Sequence, residues 1–223
     1  MTSRIVFIDS TVTDYQTLIP QLSANAEVVL LNSTQDGIAQ MLAALQGKPV
    51  FDAIDIISHG APGTLRLGAS VLNSENLSQY AAQLDEIGNH LSENGDILLY
   101  GCEVAQGSQG QSFIEQLAQL TGADVAASEN LTGSVSLGGD WALEKKTGAI
   151  ETATQFFNYQ HLLSSVVPVG SEILVNTATQ GDQYYSQIAT LANGGFVISW
   201  EDHSVGNGGA TGDTIQSAIK AQI

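Results

Sequence analysis

Up to about residue 160 the chain alternates short, continuous apolar runs with longer stretches whose apolar residues recur at helical spacing, and this alternation restricts the fold more than any other feature. RIVFIDS from Arg4, AEVVLLN from Ala26, FDAIDIIS from Phe51, DILLYG from Asp96 and ADVAAS from Ala123 read as buried strands. Between them lie helical patterns. DYQTLIPQLS carries Tyr15, Leu18, Ile19 and Leu22, with Pro20 expected to shorten or kink the helix. STQDGIAQMLAALQG offers Ser33 or Thr34 as cap, Ile38, Met41, Leu42 and Leu45 on one face, and Gly47 as the stop. ENLSQYAAQLDEIGNHLSENG reads as one long helix with Leu77, Tyr80, Ala81, Leu84, Ile87 and Leu91 inward, and QGSQGQSFIEQLAQLTG as another with Phe113, Ile114, Leu117 and Leu120 inward. Strands separated by helices and short connections must run parallel, so the pattern predicts an α/β domain with a mostly parallel central sheet and helices on both faces. TLRLGASVL, which alternates, is expected to add a small hairpin.

From Asn130 the texture changes to short alternating runs with Gly turns. LLSSVVPVG reads as a linker, and the remainder as all-β. The expected organisation is an α/β domain over residues 1–162, a linker over 163–170 and a partial β-repeat module over 171–223. The last segment is short for an independent β domain, because isolated hairpins are marginal in water.

Charge narrows the partners. The chain has 23 acidic and 6 basic residues, for a net charge of −17, which repels phosphate backbones and anionic membranes. Neither nucleic acid nor a membrane surface is an expected partner, and no apolar run reaches the roughly 18 residues of a membrane span. The acidity is compatible with calcium binding, although acidic exported proteins often carry such a surface without it. A single cysteine excludes an internal disulfide framework, and no zinc-type Cys/His spacing occurs. MTSRIVFIDSTVTDY lacks the basic and long apolar regions of a Sec signal.

Two strands end in chemically loaded residues. FDAIDIISHG delivers His59 and Gly60, and GDILLYGCEV delivers Cys102. In an open parallel sheet the carboxyl ends of the strands share one edge, where ligands bind. An imidazole and a thiol side by side are the minimum equipment of a thiolate nucleophile. Gly60 permits close backbone approach, and the Gly-rich stretch after Cys102 leads into a helix N-terminus that favours thiolate. The amides of Gly60 and Cys102 are candidate oxyanion donors. Against this, a lone cysteine is often an inert small hydrophobe and a lone histidine a packed surface residue.

Strand–SHG, hairpin, long helix, strand–YGC, helix and GADVAAS together resemble the caspase/gingipain/separase group of cysteine peptidases, closest to its bacterial CHAT-type branch. The resemblance implies a caspase-like three-layer sandwich, with His59 and Cys102 as the catalytic dyad and Gly60 helping to hold the oxyanion. The N-terminal unit is also similar to the uncharacterised DUF4347 domain found near the start of large bacterial RTX and adhesin-type surface proteins. The tail resembles repeats of those proteins through GSEILVNT, GDQYYS and LANGGFVISW. By this likeness the expected function is a cysteine peptidase-like hydrolase, self-processing or acting on another peptide or protein, in a secreted or surface protein exported by a route other than an N-terminal Sec signal. The alternative is a catalytically inactive structural or adhesion module that binds calcium. The dyad needs no cofactor.

Departures from the group bear on the chemistry. Glu103 stands where a caspase has Arg, and a neighbouring carboxylate opposes thiolate formation. Asp9, Asp124 and Glu129 are either polar caps at strand ends or the lining of a cleft that favours a basic substrate residue. His90 is expected to be solvated and His161 to pack beside FFNYQ. His203, with Asp202 and Asp213, is a weaker candidate for a metal site, and Trp141 and Trp200 are expected on β surfaces.

Overall fold

The computed structural model describes residues 3–164, 183–190, 196–203 and 218–222. The chain divides into two compact units, Met1–Val167 and Pro168–Ile223. In chain order the first unit contains β1 (Arg4–Asp9), β2 (Ala26–Leu31), α1 (Gly37–Leu45), β3 (Phe51–Ile57), β4 (Gly60–Ala61), β5 (Thr64–Leu67), β6 (Ser70–Asn73), α2 (Ala81–Gly88), β7 (Leu91–Tyr100), α3 (Gly107–Thr121), β8 (Asp124–Ala127) and β9 (Lys145–Lys146). Six strands form one sheet in the order β2-β1-β3-β7-β8-β9. All neighbours in it are parallel except β9, which runs antiparallel to β8. β4, β5 and β6 make a separate antiparallel sheet beyond the end of β3.

The pleat of the sheet sorts the strand residues into two cores. On one face Ile5, Phe7, Ile54, Ile56, Ile97, Leu99, Val125 and Ala127 pack beneath Ile38, Met41 and Leu45 of α1, Leu84 and Ile87 of α2, and Phe113, Ile114 and Leu117 of α3. On the other, Val6, Ile8, Ile57, Leu98, Tyr100 and Ala126 meet Val12, Leu18, Trp141, Phe157, Tyr159 and Leu163. Each such side chain contributes about 1.5–3 kcal/mol when fully buried.

The expectation of helices on both faces is corrected: among the described residues all three α-helices lie on one face. Connection direction explains it. Crossovers between parallel strands are right-handed, so connections that travel in opposite directions across a sheet lie on opposite faces. Only β1→β2 runs one way, while β2→β3, β3→β7 and β7→β8 run the other. The lone backward connection carries 3-10 turns (Tyr15–Thr17 and Ile19–Gln21), where the spacing predicted a helix. Pro20 is tolerated near the start of the second turn but cannot sit in a helix interior.

Two further boundaries differ. The cap of α1 is Asp36, whose carboxylate accepts the Ala39 amide at 2.8 Å, and neither Ser33 nor Thr34 fills that role. The long helix expected over 75–95 is a 3-10 turn (Leu77–Tyr80), then α2, and the chain is already in β7 at Leu91. Gly88 presses against the Thr121 carbonyl of α3, where a Cβ would fall 1.8 Å from its oxygen, so α2 stops against its neighbour. A register break between Phe51 and Ala53 of β3 absorbs the extra residues of early β7.

Beyond Asn130, where short strands were expected, β9 is the one named strand of the first unit's described residues. The rest is irregular chain joined by isolated bridges, including Gly133 with Leu162 and Gly60 with Ser164. In the second unit β10 (Gln183–Thr190), β11 (Phe196–Asp202) and β12 (Ala218–Gln222) form an antiparallel sheet. A bulge between Tyr184 and Gln187 places Tyr185 at φ 55°. No helix among the described residues is long and apolar enough to cross a membrane.

Candidate active site

The direction of the chain reverses at β1, since β2 flanks it on one side and β3 on the other. Such a switch point opens a crevice at the carboxyl ends of the two strands. Thr11 follows β1 and His59 follows β3 at these carboxyl ends, and Cys102 follows the adjoining β7. The register pairs Ile57 with Tyr100, and the Ser58 amide donates to the Tyr100 carbonyl at 3.0 Å, so the two chains leave the sheet at the same level. The topology therefore brings the residues at 59–60 and 102 to one edge, as the strand pattern predicted.

His59 is half-buried. Its Nε2 lies 3.1 Å from the Thr11 carbonyl oxygen. A carbonyl only accepts, so Nε2 carries the proton and Nδ1 bears the lone pair. That Nδ1 is buried and has no hydrogen-bond partner among the described residues. The ring is thus held by a backbone carbonyl in the tautomer that leaves one nitrogen basic. Thr11 is fixed in turn by Asp9, whose Oδ1 accepts the Thr11 amide at 2.8 Å and its hydroxyl at 2.6 Å.

Cys102 is fully buried. Its Sγ accepts the Thr132 amide at 3.2 Å and lies 3.4 Å from the Thr132 carbonyl, to which the thiol donates. Burial pushes the thiol pKa up, the Thr132 amide opposes that, and the Glu103 carboxylate pushes it up further. The resting group is therefore a neutral thiol. Glu103 stands at φ 59°, a left-handed conformation rare for a side chain of its kind, and its amide donates to the Asn130 carbonyl at 2.7 Å. This tight turn aims the Cys102 amide back toward the end of β3.

The two candidate oxyanion amides converge on a single acceptor. The Gly60 amide donates to the Leu163 carbonyl at 3.0 Å, and the Cys102 amide donates to the same oxygen at 3.4 Å. Gly60 has no room for a side chain: a Cβ would sit 2.5 Å from Val104 Cγ2 and 2.7 Å from the Cys102 carbonyl oxygen. Leu163, the first residue of the expected linker, is itself fully buried.

The other sequence candidates lie elsewhere or have other work. Asp9 is fully buried, and its Oδ2 accepts the Gly68 amide at 2.6 Å, so its carboxylate fastens the β5–β6 hairpin and the Thr11 loop and lines no cleft. Asp124 begins β8, at the sheet edge opposite the carboxyl ends. Glu129 is half-exposed and pairs with Lys145 at 2.8 Å. His161 Nε2 is 2.9 Å from Asp14 Oδ2 and its ring packs on Tyr159 at 5.4 Å. Trp141 lies in an aromatic cluster with Phe157 (4.7 Å) and Tyr100 (6.0 Å). His203 pairs with Glu201 at 2.9 Å, and Asp213 lies outside the described residues. No cluster of three or more metal-ligating side chains occurs among the described residues. Thr11, Thr132 and Leu163 were invisible as site residues in the sequence because they contribute backbone atoms, which every residue has.

The first unit is thus a mixed α/β protein with a mostly parallel sheet that gathers an imidazole, a thiol and two converging amides near one edge. The chain belongs to the family described as Domain of unknown function (DUF4347), whose pattern matches residues 5–167. Among solved structures it is similar to one described as a crystal structure of a small-chain dehydrogenase, at 9% identity, over 53% of this chain and 77% of that chain, with a TM-score of 0.31. At that score the likeness carries no argument about fold or function. No curated protein matches.

Proposed function

We propose that the first unit is a cysteine peptidase-like domain with a His59/Cys102 dyad. The observation that carries this reading is the convergence on one peptide carbonyl of the amides of Gly60, which follows His59 in the chain, and of Cys102. In this reading the thiol turns from the Thr132 carbonyl toward His59 Nδ1, which removes its proton, the sulfur attacks a peptide carbonyl, and the two amides hold the oxygen as it becomes negative. The imidazolium then protonates the leaving amine. Thr11 is the positioning group that keeps Nε2 protonated. The likeness to the caspase/gingipain group and to the front of large secreted or surface proteins belongs to the same proposal.

A second reading, a structural or adhesion module with its chemistry lost, is favoured by the complete burial of Cys102 and its raised pKa. Hydrolysis of a peptide library, assayed with wild type, Cys102→Ala and His59→Ala, separates the two. The peptidase reading expects both variants to lose at least about a hundredfold in rate, the low end of what general-base catalysis supplies. Hydrolysis independent of Cys102, or none in any of the three by a chain that also stays whole, would leave the structural module.

A further inference from the structure

The segment that covers Cys102 has the form of a bound substrate. From Phe156 to Gln160 its burial alternates, with Phe157 and Tyr159 buried and Phe156, Asn158 and Gln160 exposed; the chain then bends at Gln160 and His161, His161 and Leu162 are half-buried, Leu163 is buried and Ser164 exposed. The alternation over 156–160 has the period of an extended chain. Its backbone is held on two sides. The Leu163 amide donates to the Thr132 carbonyl at 2.9 Å, the Ser134 amide donates to the His161 carbonyl at 2.9 Å, and Leu162 bridges Gly133 in antiparallel sense. On the other side the Leu163 carbonyl takes the two amides from Gly60 and Cys102. Addition of an extended peptide to an exposed backbone edge is a common mode of peptide recognition.

The strand is delivered by a strap along the helix-free face. Asp96 Oδ2 accepts the Thr152 amide at 2.9 Å and its hydroxyl at 2.8 Å. Arg4 donates to the Ala153 carbonyl at 2.6 Å, and the Gln155 amide donates to the Tyr100 hydroxyl at 2.7 Å. Tyr159 donates to the Thr13 carbonyl at 2.6 Å. Simple core filling would account for the buried side chains, but it does not require one carbonyl to collect both amides at the end of β3 and β7.

We infer that the Leu163–Ser164 peptide bond is the substrate of this site and is cut in cis by Cys102. The inference rests on the peptidase reading and adds its substrate: an extended segment of the chain itself, with a large aliphatic side chain on the residue that supplies the carbonyl. Cys102 Sγ bonds to the Leu163 carbonyl carbon as its proton passes to His59 Nδ1. The C–N bond to Ser164 breaks, and the Ser164 amine leaves with the proton from His59. Water then hydrolyses the Cys102–Leu163 thioester, which yields a Leu163 carboxylate and restores the thiol. No oxidant or metal enters the balance. Tethering makes the attack intramolecular, so a thiol that is mostly protonated at neutral pH still faces a very high local concentration of substrate. Exposure of Ser164 gives the departing chain a way out to solvent.

The test is the intact mass of the full 223-residue chain during incubation at neutral to mildly alkaline pH. Wild type is expected to give fragments 1–163 and 164–223, and in 18O-labelled water the first should gain one label at its new carboxylate. Cys102→Ala and His59→Ala should stay whole. Leu163→Met should be cut and Leu163→Asp should not. Because Leu163 is in the core, Ser164→Pro is the cleaner variant: it alters an exposed residue, and it should stay whole while melting with Cys102→Ala. Cys102-dependent cleavage at another bond, or Cys102-dependent hydrolysis of added peptides by a chain whose own Leu163–Ser164 bond survives, would overturn this inference and leave the peptidase reading standing. A wild-type chain that stays whole and hydrolyses no peptide would overturn both.

Discussion

Replacement of Asp9 by Asn should unfasten the loop that holds His59. The carboxylate is fully buried and receives three donors: the Thr11 amide and hydroxyl on Oδ1, at 2.8 and 2.6 Å, and the Gly68 amide on Oδ2, at 2.6 Å. A carboxamide offers one acceptor oxygen. Whichever way it is turned, its NH2 group faces a backbone N–H, that of Thr11 or that of Gly68, which can only donate. At least one charge-assisted hydrogen bond is lost and its donor is left buried without a partner. Each such loss costs about 1.5–3 kcal/mol, so a total of about 2–4 kcal/mol follows when the turned amide also weakens a second bond. For a unit of this size that corresponds to a fall in melting temperature of about 4–16 °C. Guanidinium and thermal unfolding measure the stability. A second readout follows from the position of Thr11: its carbonyl orients His59, so the rate of Cys102-dependent cleavage should fall more than the folded fraction does. If Asp9→Asn melts within about 1 °C of wild type, the carboxylate is not satisfying three buried donors and the reasoning fails.

Gly60→Ala should cost about 1–3 kcal/mol, because the new methyl meets Val104 and the Cys102 carbonyl oxygen, which cannot both retreat. It should also slow turnover by about a hundred- to a thousandfold by moving one oxyanion donor, measured as kcat against unfolding midpoint. Alkylation of Cys102 should climb with pH only above the ordinary thiol range, since burial and Glu103 hold its proton on. Glu103→Gln should raise the labelling rate at fixed pH, measured by mass spectrometry. The sign for stability follows: the folded state keeps this proton to higher pH than the unfolded chain, so the contribution is full below the unfolded pKa and is lost as pH rises through the folded one. Asp36 behaves oppositely. Burial raises its pKa, but hydrogen bonds from Ser70, Ala39 and Tyr80 outweigh that and lower it below the ordinary aspartate value. Its stabilisation is therefore present above the unfolded pKa and lost as pH falls through the folded value. Asp36→Ala should cost about 1–2 kcal/mol at neutral pH and flatten the acid limb of a stability profile.

Cys102 is a member of the core cluster on the helix-free face, and its amide donates to the Leu163 carbonyl. Its burial is that of a packed thiol, and it is the direction of the hydrogen bonds at Leu163 that supports the proposed chemistry. The acidic candidates have other places: Asp9 accepts amide donors, Asp124 lies at the far end of its strand, and Glu129 pairs with Lys145. None of them marks a cleft for a basic side chain.

The strands were legible in the chain alone, because runs such as RIVFID and DILLY hold unbroken apolar stretches, 5–8 and 97–99, that can be buried only between two covered faces. The strand pattern also placed His59 and Cys102 at strand ends, but the fold decided that those strands are neighbours, since β2 and β3, equally consecutive, are separated by β1. Apolar spacing misplaced the helix over 14–23, where Pro20 and the backward connection favour 3-10 turns, and the helix over 75–95, where contact of Gly88 with Thr121 ends α2 early. The use of backbone atoms, by contrast, arose from the way the chain folds back on itself. The Thr11 carbonyl that orients His59, the Thr132 amide on the sulfur and the Leu163 carbonyl between two donors leave no trace in side-chain identity, because amides and carbonyls are common to all residues and acquire meaning only where the fold brings them together.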